Sequence, residues 1–247
     1  MRVLALDTTT RAGSTALVSD DRVVDERSGD GTRTHALRMP GEILEIVAAN
    51  QWPLADVDLY AVATGPGSFT GLRIGLATIQ GLALVHGRRI VGVPILDALA
   101  HAGSIGATEG TVIAAWMDAH RQDVFAALYQ VTAAPPFSRA RLVELDGASV
   151  ASPASTLERW RGAGLADPGV FIGNGAILYQ SEINRLAPGS VVLPSPLLAG
   201  AIGRVAFARK DEAMNPAAVR PFYVRRADVE VTRDKNVRAT GTNPTHT

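Results

Sequence analysis

Gly65-Pro66-Gly67-Ser68-Phe69-Thr70-Gly71-Leu72-Arg73 follows the apolar run Tyr60–Ala63. A strand, a glycine turn and a helix N-terminus in that order commonly hold a phosphate. The spacing fits none of the usual chemistries. A Walker A loop needs G-x-x-x-x-G-K-[ST], but Gly67 and Gly71 are too close together and Leu72-Arg73 stands where Lys-Ser/Thr is required. The dinucleotide fingerprint G-x-G-x-x-G begins at Gly65 and Gly67 and then meets Thr70 in the last place. The nucleophile elbow G-x-S-x-G fails because Gly67 directly precedes Ser68. A structural reading remains. Gly65 and Gly67 permit backbone angles closed to other residues, Pro66 stiffens the turn, and Ser68 or Thr70 caps the helix. Arg73 lies in the first turn, where its charge opposes the helix dipole, so a specific pairing partner is expected for it.

Two carboxylates are the other candidates for chemistry. Asp7 ends the run Val3–Leu6 and precedes Thr8-Thr9-Thr10, the way actin-like ATPases and kinases open a phosphate site. A turn-forming Asp that accepts backbone N–H bonds has the same sequence, and both readings stay open. Asp118 is the matching position in the second half. Nucleotide handling needs a glycine-rich loop after that second Asp, and the chain has Ala119-His120-Arg121-Gln122 there. Asp7, Thr8 and Asp118 therefore read as a vestigial nucleotide site. His120 is either a general base beside Asp118 or an exposed loop histidine. None of the histidines, at 35, 86, 101, 120 and 246, pairs at i,i+4, so no metal is expected. The absence of cysteine excludes disulfides, thiolate zinc and a cysteine nucleophile. Lys plus Arg and Asp plus Glu are 24 each, so no global field draws the chain to nucleic acid or to acidic membranes.

The elements that must position these residues follow from apolar patterning. Val3–Leu6, Ser14–Ser19 and Arg22–Glu26 read as an antiparallel meander. A helix is predicted over 34–50, with Pro40 near its start, then a strand over 59–64 and a helix over 70–86. "LALD" and "TALV" are echoed by "AWMD" and "AALY" at the same ten-residue spacing, and a strand ending in a glycine turn recurs at Gly173. Either a βββαβ unit is duplicated or two strand pairs coincide by chance. The expected organisation is an N-terminal lobe over 1–100 and a C-terminal lobe over 101–230. A linker is expected over 93–111, a loop excursion over 133–154 and a disordered tail over 231–247. Asp7 arrives too early for a signal peptide and no apolar run reaches membrane-spanning length, so a cytoplasmic protein with no membrane association is expected.

Both first-lobe helices have two apolar faces. In the second, Leu72, Leu76, Ile79 and Ala83 form one stripe, while Ile74, Ala77, Thr78, Gly81 and Val85 form another that is apolar or small. In the first, Leu37, Leu44 and Ala48 oppose Met39, Ile43 and Ile46. A helix apolar nearly all round is buried on more than one side. Burial between the lobes and docking on another protein both satisfy that pattern.

The segments LALDTTTRAGSTALV, THALRMPGEILEIV, VATGPGSFTGLRIGLATIQGLAL, MDAHRQDVFAALY and RPFYVRR occur in an order that resembles the TsaB (YeaZ) family over roughly Met1 to Asp228. GPGSFTGLRIG is the most specific of them. The resemblance implies an α/β, two-lobed actin-like (ASKHA, ribonuclease-H-like) fold with a degenerate nucleotide site and no cofactor. It implies a non-catalytic subunit that supports TsaD in threonylcarbamoyl transfer to the adenosine next to the anticodon of tRNA. TsaE, an ATPase, joins them, tRNA is met only through the complex, and a homodimer is implied in isolation. TsaD's metal site uses an H-x-x-x-H pair, which this chain lacks. Met39, Ile43, Ile46, Arg73, Ile74, Ala77, Thr78, Gly81 and Val85 are the expected partner-binding residues, with Gly65, Pro66 and Gly67 setting the helix start. The alternatives are an ATP-dependent small-molecule kinase using Asp7 and Asp118, and a protease with Ser68 as nucleophile, for which no base stands at diagnostic spacing.

Overall fold

A computed structural model describes residues 1–224; the expected tail over 231–247 lies outside them. β1 (Arg2–Asp7), β2 (Ser14–Ser19) and β3 (Arg22–Ser28) form the meander, with Asp20 left-handed in the tight turn at φ 55°, a conformation Asp tolerates. α1 (His35–Ala49), β4 (Leu59–Gly65), α2 (Phe69–Val85) and β5 (Arg89–Pro94) follow, then α3 (Ile95–Gly103). The second half runs β6 (Val112–Asp118), β7 (Val124–Val131), β8 (Leu142–Ala151), α4 (Pro153–Gly162), β9 (Val170–Ile172), α5 (Asn174–Leu178), α6 (Gln180–Leu186), β10 (Val191–Leu193) and α7 (Ala199–Ala208).

These strands make two five-stranded sheets, ordered β3-β2-β1-β4-β5 and β10-β9-β6-β7-β8. In each, three antiparallel strands are joined to two parallel ones. The repeated unit suspected from "LALD" and "AWMD" is thus visible as one topology used twice.

Two differences from the sequence reading have physical causes. The expected linker over 93–111 contains α3, whose residues are buried almost throughout. α3 is only nine residues long, and its two polar side chains, Asp97 and His101, are themselves buried, so it has no solvent-facing stripe to mark it. The expected loop over 133–154 contains β8, an edge strand that is largely half-exposed and so lacks the alternation of a strand with one covered face.

One core fills the space between the sheets, where α3 and α7 lie side by side. α7 follows the second sheet in sequence but packs on β1, β2 and β4 of the first. Its N-terminus is held there by Glu26, which accepts from Gly200 N at 2.8 Å, and by Ser14, whose Oγ accepts from Ala199 N at 2.9 Å. A second core lies under α1 and α2, and a third under α4 to α6. No helix among the described residues is long and apolar enough to cross a membrane.

Candidate functional site

The glycine turn is built by close approach. Gly65 has φ 113°, and a Cβ there would lie 2.6 Å from the Phe222 carbonyl oxygen. Gly67 is nearly extended, and its glycine is required because a Cβ would lie 2.6 Å from Thr9 Cβ. Steric contact with Thr9 therefore excludes a side chain at Gly67, where the sequence reading gave only backbone freedom. Pro66 follows a cis peptide bond. Ser68 N donates to Thr9 O at 2.9 Å, and Ser68 Oγ accepts from Gly71 N at 3.2 Å, so Ser68 and not Thr70 caps α2.

α2 then crosses the end of β1 at very short range. A Cβ on Gly71 would stand 2.1 Å from Thr8 O, and one on Gly75 2.3 Å from Thr8 Oγ1. Thr8 is thus locked under the start of the helix and is buried. Leu72, Leu76, Ile79 and Ala83 fill the core beneath. The opposite stripe carries the expected partner residues. Ala77, Gly81 and Val85 are exposed, Ile74 and Thr78 half-exposed, and the flanking Leu84 stands out as well. No atom lies within 4 Å of where a Gly81 Cβ would be. Burial between the lobes therefore does not account for Ala77, Gly81 and Val85, whereas Ile74 also lines the cleft between the halves.

On α1 the expectation is inverted. Met39, Ile43 and Ile46 are at most 3% exposed and sit in the core with Leu4, Tyr60 and Leu76. The outward residues are Leu37 at 70% exposure, Leu44 at 57%, Gly41 and Ala48. Periodicity separates two stripes but does not say which one meets the sheet; the bulkier, β-branched stripe does. Leu37, Leu44 and Ala48, the stripe not chosen for partner binding, are thus the surface residues, and Gly41, named in neither stripe, stands among them.

Arg73 has its partner within the chain. Its guanidinium lies 3.9 Å from the Phe69 ring centroid, and its Nε donates to Tyr223 Oη at 3.2 Å.

The two halves meet at a cleft of about 740 Å³ lined by Thr9, Arg11, Arg33, His35, Ser68, Asp118 and Tyr223, among others. A smaller pocket of about 360 Å³ lies against Asp7 and Asn174. Asp7 is buried; its Oδ1 accepts from Thr9 N at 2.8 Å and Thr9 Oγ1 at 2.6 Å, the turn-forming arrangement. Burial pushes its carboxyl above the usual carboxylate range, against the pull of the Thr9 bonds. His35 Nε2 meets Thr10 O at 2.9 Å and its Nδ1 meets Arg38 at 2.8 Å. Burial lowers its pKa, so the neutral ring donates from Nε2 and accepts at Nδ1. Asp118 Oδ1 accepts from His120 N at 2.8 Å, and the exposed His120 ring reaches Asp118 Oδ2 at 3.2 Å. His120, Arg121 and Gln122 all have φ between 55° and 65°. Three successive left-handed side-chain residues stand where a nucleotide site would need glycines. No group of His, Asp and Glu among the described residues could hold a metal ion.

Comparison with known proteins gives a consistent picture. Residues 29–135 match the family model described as TsaD, tRNA N6-adenosine threonylcarbamoyltransferase. The chain is 31% identical over 230 residues to an uncharacterized protein of Mycobacterium tuberculosis, covering 92% of this chain and 93% of that one. It is 29% identical over 230 residues to the tRNA threonylcarbamoyladenosine biosynthesis protein TsaB of Haemophilus influenzae, covering 91% and 94%. A crystal structure from Pseudomonas aeruginosa with similarity to peptidase YEAZ superposes with a TM-score of 0.72 at 27% identity, covering 91% of this chain and 99% of that one. For the fold alone, component A of Acidaminococcus fermentans (R)-2-hydroxyglutaryl-CoA dehydratase gives a TM-score of 0.50 at 12% identity, over 85% of this chain and 98% of that one. The architecture is the two-sheet, actin-like α/β fold.

Proposed function

The chain belongs to the TsaB (YeaZ) family, and from that premise we propose that it is a non-catalytic subunit in tRNA threonylcarbamoyladenosine biosynthesis. Its role is to dock a TsaD threonylcarbamoyltransferase through the outward faces of α1 and α2. The carrying observation is the outer stripe of α2: Ile74, Ala77, Thr78, Gly81 and Val85 are apolar or small and exposed to varying degrees. With Leu37, Gly41 and Leu44 of α1, they form a surface suited to helix-on-helix packing. Arg73 braces the first turn of α2 from the side. TsaE and tRNA join through that complex, and without TsaD the same surface pairs two copies of the chain by an isologous contact.

The cleft geometry supports the non-catalytic part. Asp7 faces Thr9 as a turn carboxylate, and the loop after Asp118 places three side chains where a phosphate would need bare backbone. The test is co-purification with TsaD from the same organism, paired with calorimetry of the lone chain against ATP and magnesium. Stoichiometric capture of TsaD without nucleotide turnover is expected. Tight ATP binding with turnover would favour the kinase reading instead.

A further inference from the structure

The motif Arg220-Pro221-Phe222-Tyr223-Val224 has no part in the function proposed above, yet its contacts converge on α2. After α7 the chain returns along the first sheet, where Met214 and Ile90 exchange backbone hydrogen bonds at 2.8 and 3.0 Å. It then runs beside α2. Gln80 Nε2 donates to Pro216 O at 2.8 Å and to Val219 O at 3.1 Å, and Val219 itself is buried in the core beneath the helix. At the other end of α2, Phe222 N donates to Thr64 O at 2.7 Å, and Phe222 O closes against Gly65. Tyr223 packs on Phe69 with centroids 4.9 Å apart and the rings tilted by 30°, and it accepts from Arg73. One short segment thus holds α2 by its first turn, by the glycine turn before it and by a residue near its far end. The helix residues it grips, Phe69, Arg73 and Gln80, flank the outward stripe without belonging to its centre.

We propose that residues 215–224 are a clamp that sets the pitch of α2 against the first sheet, with Tyr223 and Gln80 as positioning residues for docking. The proposal rests on the docking face described above. Gly71 and Gly75 let α2 lie directly on Thr8, so on that side the helix start is seated by backbone contact, with Leu72 buried beside it. The Tyr223–Phe69 ring contact and the Arg73 bond hold the same turn from outside. Tyr223 and Phe222 remain 38% and 47% exposed, so their loss should loosen the helix start more than it lowers global stability.

The experiment uses the full chain and the TsaD protein of the same organism. Tyr223→Ala, Gln80→Ala, Tyr223→Phe and Gly81→Leu are compared by titration calorimetry, thermal melting and amide hydrogen exchange. Tyr223→Ala should bind at least tenfold more weakly while melting within a few degrees of the parent. Exchange at the amides of 69–74 should quicken in the free protein. Tyr223→Phe keeps the ring and should recover most of the affinity, and Gln80→Ala should act like a weaker Tyr223→Ala. Unchanged exchange at 69–74 in Tyr223→Ala overturns the clamp, whatever Gly81→Leu does. Quickened exchange with affinity within twofold of the parent overturns its role in docking. If Gly81→Leu also binds normally, the docking face is misplaced, and the exchange result still decides the clamp.

Discussion

Gly71 and Gly75 face β1, where a Cβ would meet Thr8 O at 2.1 Å and Thr8 Oγ1 at 2.3 Å. Gly81, further along the same helix, faces outward, and no atom lies within 4 Å of where its Cβ would be. A glycine inside a helix costs about 1 kcal/mol relative to alanine. On the inner side that cost is offset within the chain, because only glycine lets the helix lie on the strand. On the outer side nothing in the chain offsets it, and Gly41 in α1 is in the same position. Inner and outer glycines are alike in sequence and opposite in cause. A partner helix approaching closely would give the outer pair the reason that Thr8 gives the inner pair.

The largest effect should separate the two sides of α1. Ile43→Ala opens a hole in a closed core and should cost roughly 3 kcal/mol. Leu44→Ala removes a 57% exposed side chain and should leave the lone chain within about 0.5 kcal/mol of the parent. Urea denaturation of both variants checks this, and equal losses would erase the distinction between the faces. On α2, Gly71→Val forces the Thr8 carbonyl to move and should cost roughly 2–3 kcal/mol. By contrast, Gly81→Ala should stabilise the free subunit by about 1 kcal/mol, read as a higher melting temperature.

The smallest effect concerns Asp7, beneath the start of α2. Its folded-state pKa is raised by burial, so below the unfolded pKa of about 3.9 both states are protonated and the group costs nothing. As pH rises the unfolded chain ionises first, and stability falls until the folded carboxyl also ionises. Asp7→Asn keeps an acceptor for Thr9 and should therefore match the parent near pH 3 and exceed it at pH 7. Parallel stability–pH curves would show that burial does not penalise Asp7.

Much of the first lobe was legible because its signals are local. The meander, the strand before the glycine turn and both helices fall within one or two residues of their predicted places, since apolar runs and caps mark them. α3 and β8 were hidden for the opposite reason: one is buried on all sides and the other lies on a sheet edge. At the site, the two stripes of α2 could be read from spacing. The orientation of α1 could not, because it depends on which stripe fits the sheet. Gly71 and Gly75 were equally invisible as contact residues, since their neighbour Thr8 is more than sixty positions away. The partner expected for Arg73 was predictable as a need, and its identity as Tyr223 only from the fold.

The central claim is that the outer stripe of α2 is a surface for another protein. Its most direct test is the affinity of Gly81→Leu for TsaD, measured by titration calorimetry beside a thermal melt of the lone variant. A leucine projects into open space in the free chain and into the contact in the complex. The account predicts a melting temperature no lower than the parent's and at least a tenfold loss of affinity. Parental affinity, or unfolding of the lone subunit, would contradict it.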